Sequence, residues 1–193
     1  MPKSTAPRRA ADTHARRRYV SRACLGMAAV LLLSGCSLIR GPEPQPVSCP
    51  TTGMLREGAS LTRYKPNSVH DLTNVQLSAN IVDVSANCVF VPEPRQVDMA
   101  LGLRIIAERG AAAPAGEQQF AYIVAVTTPD QRFLSRQVYR LAATFPGNAR
   151  RAGFEEVLNL NFPLKEGQTA ADFRVYVSLQ LQPDELNDNL QAR

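Results

Sequence analysis

The chain contains no tryptophan, only two histidines and few aromatic residues, which make up 6% of its 193 positions. The absence of tryptophan removes one hallmark of antibody-type immunoglobulin domains. His70 is the only histidine beyond the arginine-rich N-terminal segment. A metal site built on several histidines is therefore excluded there, and a hydrolytic triad would have a single candidate base.

The excess of positive charge is confined to the N-terminal segment. Lys and Arg number 22 in the whole chain and Asp and Glu number 17, but the first 35 residues hold seven of the basic residues and one of the acidic residues. The remainder thus carries 15 basic and 16 acidic residues. A basic protein would suggest nucleic acid as a partner. Because residues 36–193 are nearly neutral, we expect no nucleic-acid partner.

The sequence also lacks the motifs of common catalytic and nucleotide-binding sites. It contains no Gly-x-Ser-x-Gly elbow, phosphate-binding loop, dinucleotide fingerprint or calcium loop. His70 precedes Asp71, but adjacent residues seldom present their side chains to each other. Glu155 and Glu156 are also adjacent, and neighbours in a strand point to opposite faces. We therefore expect His70 in a surface loop, solvated glutamates, and no catalytic residue, metal site, cofactor or enzymatic activity.

The N-terminal segment has the layout of an export signal. A cluster of arginines precedes an apolar run of about eleven residues, 23–33, which is shorter than the roughly 20 that a permanent membrane span needs. The run ends in Leu33-Ser34-Gly35-Cys36, which resembles the lipobox of bacterial lipoprotein signal peptides. That resemblance implies cleavage before Cys36, a diacylglyceryl thioether on its sulfur and acylation of the new N-terminus. The alternative is an uncleaved anchor in which Cys36 has no role.

The four cysteines follow the same division of the chain. Cys24 lies in the apolar run, and Cys36 would carry the lipid. Cys49 and Cys88 remain as an even pair, which in an oxidising compartment predicts a disulfide. The alternative, a pair of metal ligands, lacks the further partners that such a site needs.

We divide the chain into a signal peptide (1–35), a lipidated cysteine with a proline-rich tether (36–48) and a single β-domain (49–193). Pro42, Pro44 and Pro46 favour a polyproline II spacer that rises about 3.1 Å per residue. About a dozen such residues reach roughly 35 Å, so the domain should stay close to its membrane. The length of residues 49–193 is common for one domain.

Apolar residues recur with a period of two through the predicted domain. Segments 97–107 and 172–182 alternate apolar and polar residues, which is typical of strands with one buried and one solvated face. Segment 120–127 is apolar on both faces, which predicts a position in the centre of a sheet. Segment 75–84 changes its apolar parity near Ile81, which predicts a β-bulge.

Further strands are predicted at 86–91, 132–145 and 157–162, and a short helix is predicted to begin at Pro183. Seven or so strands separated by turns favour an all-β fold, an antiparallel two-sheet sandwich of immunoglobulin-like architecture. An eight-stranded barrel is the alternative.

Several segments resemble an uncharacterised family of proteobacterial, chiefly alphaproteobacterial, lipoproteins. They cover most of residues 49–189 and are Cys49-Pro50, Leu61-Thr62-Arg63-Tyr64, Asp71-Leu72-Thr73, Asn87-Cys88, Phe120-Ala121-Tyr122 and Tyr176-Val177-Ser178-Leu179-Gln180-Leu181. The resemblance brings no activity. In such lipoproteins, serine after the lipidated cysteine is typical of the outer membrane and aspartate of the inner membrane. Ser37 therefore implies the periplasmic face of the outer membrane, with the inner membrane as the alternative.

One segment could form a contact surface. Arg132, Arg136 and Arg140 recur every four residues, so in one strand they would share a face. Such a stripe could contact lipid headgroups, a glycan or an acidic partner, and the alternative is a solvated face balanced by neighbouring acids. The aromatic residues of the same segment are expected in the core, with a contact patch as the alternative: Phe133, Tyr139 and Phe145.

These observations favour a binding or scaffolding lipoprotein of the cell envelope. Its expected partners are the membrane, through the lipid anchor, and another envelope protein. The alternative is a carrier that holds a lipid or a small apolar ligand in a barrel cavity.

Overall fold

The computed structural model describes residues 43–191, and the predicted signal peptide and Cys36 lie outside this range. The described part is built almost entirely of strands. They are β1 (Gln45–Pro46), β2 (Thr51–Met54), β3 (Ser60–Tyr64), β4 (Val75–Val91), β5 (Gln96–Arg109), β6 (Gln118–Thr127), β7 (Phe133–Ala143), β8 (Arg151–Pro163) and β9 (Arg174–Leu179). A helix, α1 (Pro183–Gln191), follows the last strand, and short 3₁₀ turns lie at Arg56–Gly58 and Ala170–Asp172.

The strands form two sheets that stay separate. Sheet A has the order β1-β4-β5-β8, and β3 shares with β1 the same edge of β4. Sheet B has the order β2-β9-β6-β7. The predicted two-sheet sandwich is confirmed, and the barrel alternative is wrong because the two sheets do not close on each other. All strand pairs are antiparallel except β2 with β9, which run parallel.

Alternating residues of both sheets build one hydrophobic core. On β5 the predicted row faces inward and is buried, and its members are Val97, Met99, Leu101, Leu103, Ile105 and Ala107. Val175, Val177 and Leu179 supply the facing row from β9. The central strand β6 adds Phe120, Tyr122, Val124 and Val126. Because side chains in a strand alternate between faces, every second residue enters the space between the sheets.

The bulge predicted near Ile81 is present and joins two predicted strands into one. The register of β4 against β5 shifts between Ile81 and Asp83, so Val82 has no partner of its own and is 44% exposed. One extra residue reverses the parity of the strand, which lets Ile81 and Val84 both face the core. Segments 75–84 and 86–91 are therefore a single strand of 17 residues.

The chain crosses from sheet A to sheet B on one side of the sandwich, and a disulfide holds the crossing. Gln45 and Pro46 pair with Phe90 and Val89 of β4, so the last part of the proline-rich tether belongs to sheet A. The chain then reaches β2, which lies at the edge of sheet B. Cys49, between the two short strands, is bonded to Cys88. The predicted disulfide is confirmed, and metal ligation by this pair is wrong because the two sulfurs are joined.

Helix α1 begins at Pro183, as predicted. Polar contacts fix it to β3. The Nε atom of Arg63 donates to Oε1 of Glu185 at 2.9 Å, and Glu185 is 3% exposed. The other carboxylate oxygen of Glu185 accepts from the backbone N–H of Gln182 at 2.8 Å and so caps the first turn. Asn189 donates to the carbonyl of Ser60 at 2.8 Å. These contacts hold the helix over one end of the sandwich.

In the described part of the chain, no helix combines the length and the apolar character needed to span a bilayer.

Replacement of both Cys49 and Cys88 by Ala should lower the free energy of unfolding by about 4 kcal/mol. The bond closes a loop with a sequence separation of 39, and its loss returns conformational entropy to the unfolded chain. Urea unfolding of the full chain in a non-ionic detergent measures the change. Wild-type protein treated with a reductant is the matched control and should show a similar loss. Equal midpoints for oxidised wild type and the double variant would contradict the prediction.

Candidate binding surface

Charges are distributed unequally between the two sheets. The strands of sheet A carry both signs, with Asp83, Asp98, Glu108, Glu155 and Glu156 beside Arg63, Arg104, Arg109 and Arg151. The four strands of sheet B contain no Asp or Glu. Their charged residues are three arginines, Arg136, Arg140 and Arg174. The charged side chains on the strands of sheet B are therefore all positive.

Two of these arginines flank an apolar strip on the outer face of sheet B. Strand register places Arg140 opposite Ala121, Val138 opposite Ile123, and Arg136 opposite Ala125. Directly opposed residues share one face of a sheet. We call these six residues the arginine face. Because Arg136 and Arg140 are four positions apart, their side chains leave the strand about 13 Å from each other.

The two arginines of this face have no acidic partner among residues 43–191. The ion pairs in that range join Arg63 with Glu185, His70 with Asp188, and Arg151 with Glu108. Arg174 is held differently, since its Nη1 atom donates to the Thr51 hydroxyl at 2.9 Å. The alternative of a basic stripe neutralised by nearby acids therefore does not describe Arg136 and Arg140.

Arg132 does not belong to this face, and the prediction of three arginines in one row is wrong for it. It lies before β7, in the turn after β6, where its backbone N–H donates to the Thr128 hydroxyl at 3.1 Å. A hydrogen bond from the side chain of Thr128 lowers the pKa of Asp130 in this turn, and the charge of Arg132 lowers it further. The register also shifts between Val126 and Thr127, so the parity of β7 changes near Leu134.

Strand β7 lies at the edge of sheet B and, within the described residues, pairs only with β6. Its inner side is held by packing, because the ring of Tyr139 stacks on that of Tyr122 with 5.0 Å between ring centroids. Tyr139 and Phe145 pack against the core as expected. Phe133 does not, since it is 69% exposed at the start of the strand, and the core expectation for it is wrong.

A cleft opens between the edges of β7 and β8, on the side of the sandwich away from the disulfide. Its volume is about 370 Å³. Apolar side chains from both edges line it, including Leu134, Tyr139, Leu160 and Phe162. Because the cleft borders β7, any segment laid along that edge would also cover part of this apolar lining.

Glu155 and Glu156 lie on opposite faces of β8 and do not converge. Glu155 stands opposite Arg104 on the outer face of sheet A. Glu156 falls in the inward row, and its Oε2 atom lies 3.4 Å from the hydroxyl of Tyr122, a fully buried residue. Glu156 is therefore only partly solvated, whereas Glu155 is exposed as expected. The apolar parity of residues 152, 154, 158 and 160 could have shown its inward position, had the strand been predicted to begin at Arg151.

His70 makes a contact that its sequence neighbourhood did not indicate. Its Nδ1 atom lies 2.9 Å from a carboxylate oxygen of Asp188 in α1, and its ring stacks on Tyr64 at 4.3 Å. Asp71 instead accepts hydrogen bonds from Thr73, whose hydroxyl lowers the pKa of this carboxyl. His70 therefore lies on the surface as expected, and it links the loop before β4 to the helix rather than pairing with Asp71.

Among residues 43–191, no three His, Cys, Asp or Glu side chains come close enough together to hold a metal ion.

No protein-family model matches the chain, and no curated protein matches it in sequence. Among solved structures, it is similar to the variable (V) domain of the AgI/II polypeptide BspA of Streptococcus agalactiae. The identity is 13%, the match covers 74% of this chain and 93% of that domain, and the TM-score is 0.19. A similarity at this level supports no inference about function.

Stability should fall in alkaline solution because of Tyr122. Burial of its hydroxyl, and secondly the nearby carboxylate of Glu156, raise the pKa of Tyr122 well above its ordinary value of about 10. The folded protein thus holds the phenol proton more tightly than the unfolded chain does. The stability that this contributes is present below about pH 10 and is lost as the pH rises above that value.

Urea midpoints measured between about pH 8 and pH 11 test this dependence. Tyr122→Phe should flatten the alkaline loss, and Tyr176→Phe, a half-buried tyrosine of β9, should retain it. An unchanged alkaline slope in Tyr122→Phe would show that another group causes the loss.

Proposed function

We propose that this chain is a membrane-anchored, periplasm-facing lipoprotein that acts as a binding or scaffolding module of the cell envelope. The anchor would be a lipid on Cys36, at the end of the lipobox-like segment. The Cys49–Cys88 disulfide supports an oxidising compartment, where such bonds persist. Ser37 favours the outer membrane over the inner membrane.

The arginine face beside the β7 edge is the observation that carries the binding function. It combines two cations without an acidic partner in the described chain, an apolar strip between them and a strand edge that pairs on one side only. Charged residues on an edge strand also hinder self-association. Acidic residues would hinder self-association as well as arginines do. Protection of the edge therefore does not explain why the strands of sheet B contain no acidic residue.

The carrier alternative is not favoured by the structure. It required a closed barrel around an apolar cavity, whereas the described sheets remain separate and their inward rows fill one core. The cleft between β7 and β8 is open at the surface, unlike the enclosed cavities that shield an apolar ligand from water. Binding of a protein partner therefore remains the proposal. Nothing in the near-neutral composition beyond residue 35 supports binding to nucleic acid.

Replacement of Cys36 by Ala should abolish incorporation of labelled fatty acid and leave the chain at the length of its uncleaved precursor. The sulfur of Cys36 is the atom that would be lipidated. Because cleavage before residue 36 would follow lipidation, removal of the sulfur also prevents that cleavage. Cys24→Ala, in the apolar run, is the matched control and should be labelled as the wild type is. Labelling of Cys36→Ala, or its cleavage to the length of the mature wild type, would contradict the anchor.

Crosslinking in intact envelopes tests the binding function separately. We expect wild-type protein to yield a reproducible crosslinked partner, and the yield should fall for Cys36→Ala because the unprocessed variant is not delivered to the proposed site at the outer membrane. Repeated recovery of uncrosslinked protein alone, at a level of expression equal to that of the wild type, would contradict the proposed function.

A further inference from the structure

We propose that the β7 edge binds an extended acidic segment of its partner by strand addition, with the pattern acid-x-apolar-x-acid facing Arg140, Val138 and Arg136. This inference rests on the proposed binding function and names the chemistry of the partner.

The backbone of β7 provides the first step. The strand is 11 residues long, contains no proline and pairs only with β6 among the described residues. An edge strand exposes a row of unpaired N–H and C=O groups that another extended chain can satisfy. Such pairing places each residue of the incoming segment beside one residue of β7. Its side chains then alternate between the two faces of the sheet, as those of β7 do.

The charges of sheet B select the side chains on the outer face of that segment. Arg136 and Arg140 would each stand beside one side chain of the added strand, and opposite charges at such cross-strand positions are favourable. The described strands of sheet B contain no acid that could compete. Val138 lies midway between the arginines and next to Ile123, so an apolar side chain fits between the two acids.

The cleft offers a lining of apolar and polar residues to the inner face of the same segment. Ser135, Gln137 and Tyr139 of β7 line the cleft together with Leu160 and Phe162. Side chains of an added strand that point inward would lie over this lining and remove apolar surface from water. The outer face of the edge therefore selects charge, whereas the inner face offers apolar surface together with polar side chains, those of Ser135, Gln137, Asn159 and Asn161.

A second copy of the chain fits this edge poorly. If two β7 strands paired antiparallel about Val138, Arg136 of each would stand opposite Arg140 of the other, and like charges at that position are destabilising. An anionic bilayer would complement the arginines but has no backbone groups to pair with the strand. The combination of an unpaired edge and cationic side chains thus points to an acidic peptide.

Binding of a synthetic nine-residue peptide to the full chain, purified in a non-ionic detergent, tests the inference. The peptide carries two aspartates four residues apart with a leucine midway and valine or threonine between them, and fluorescence anisotropy measures its dissociation constant. We expect saturable binding that weakens with salt. Arg136→Glu/Arg140→Glu should weaken it by about tenfold or more, since attraction becomes repulsion at two positions.

Two controls separate charge from strand pairing. Arg56→Glu/Arg150→Glu changes the net charge equally at exposed positions outside β7 and should bind the peptide as the wild type does. A peptide of the same sequence that is N-methylated at alternate residues keeps its charges but cannot pair as a strand. We expect it to bind at least tenfold more weakly.

The outcomes distinguish this inference from the proposed function. Equal binding of the N-methylated peptide would overturn strand addition, and equal binding by Arg136→Glu/Arg140→Glu would overturn the role of the arginines. Binding of phosphatidylglycerol vesicles that requires Arg136 and Arg140, without peptide binding, would assign the face to lipid. If the peptide fails while envelope crosslinking still returns a partner, the inference is wrong and the binding function stands.

Discussion

The bond between Cys49 and Cys88 fixes the first passage of the described chain from sheet A to sheet B, between β1 and β2. Strands β1 and β2, with two and four residues, are too short to hold their own positions by pairing alone. Their placement nevertheless completes the edges of both sheets. Once Cys49 is fixed to β4, β1 can pair with the end of β4 and β2 can run parallel to β9. The 3₁₀ turn at Arg56–Gly58 and β3 follow, and both contact helix α1.

This arrangement makes the two sides of the sandwich unlike each other. On the disulfide side, short strands and a chain crossing cover the edges of the sheets. On the other side, β7 and β8 end their sheets with edges that the described chain leaves uncovered, and an apolar cleft separates them. The arginine face borders that uncovered side. The proposed partner would thus bind on the flank opposite the disulfide, without disturbing the covalent crossing.

Elements dominated by local alternation could be predicted from the sequence. The inward row of β5, the bulge of β4 and the start of helix α1 each leave a periodic or capping signal within about ten residues. The disulfide followed from the count of cysteines. The parallel pair of β2 and β9 could not be predicted, because β2 has four residues and its partner lies over 120 positions away. The contact of His70 with Asp188 is hidden for the same reason, since their sequence separation is 118.

For two residues, Arg132 and Glu156, the sequence does not show which face of the sheet the side chain occupies. A regular strand would place Arg132 in one row with Arg136, whereas the register shift between Val126 and Thr127 makes Leu134 an extra residue of β7 and changes the parity. Adjacent glutamates of a strand point to opposite faces, but this rule alone does not tell which of the two points inward. Glu156 does, in the row of Phe154 and Leu158. For Arg132, the local irregularity of the backbone decides which face of the strand the residue occupies. Edge strands tolerate such irregularities because one side has no partner to enforce register.

The pairing of Gln45–Pro46 with β4, three residues before Cys49, also determines how the domain would respond to mechanical force. Tension applied from the N-terminal direction reaches this two-residue pair first and the covalent link immediately afterwards. The load then enters β4, the longest strand, which is joined to β5 along nearly its whole length. A domain suspended by its N-terminal end would therefore lose only the β1 contact before a covalent bond took up the strain, and β7 would stay outside the path of that force.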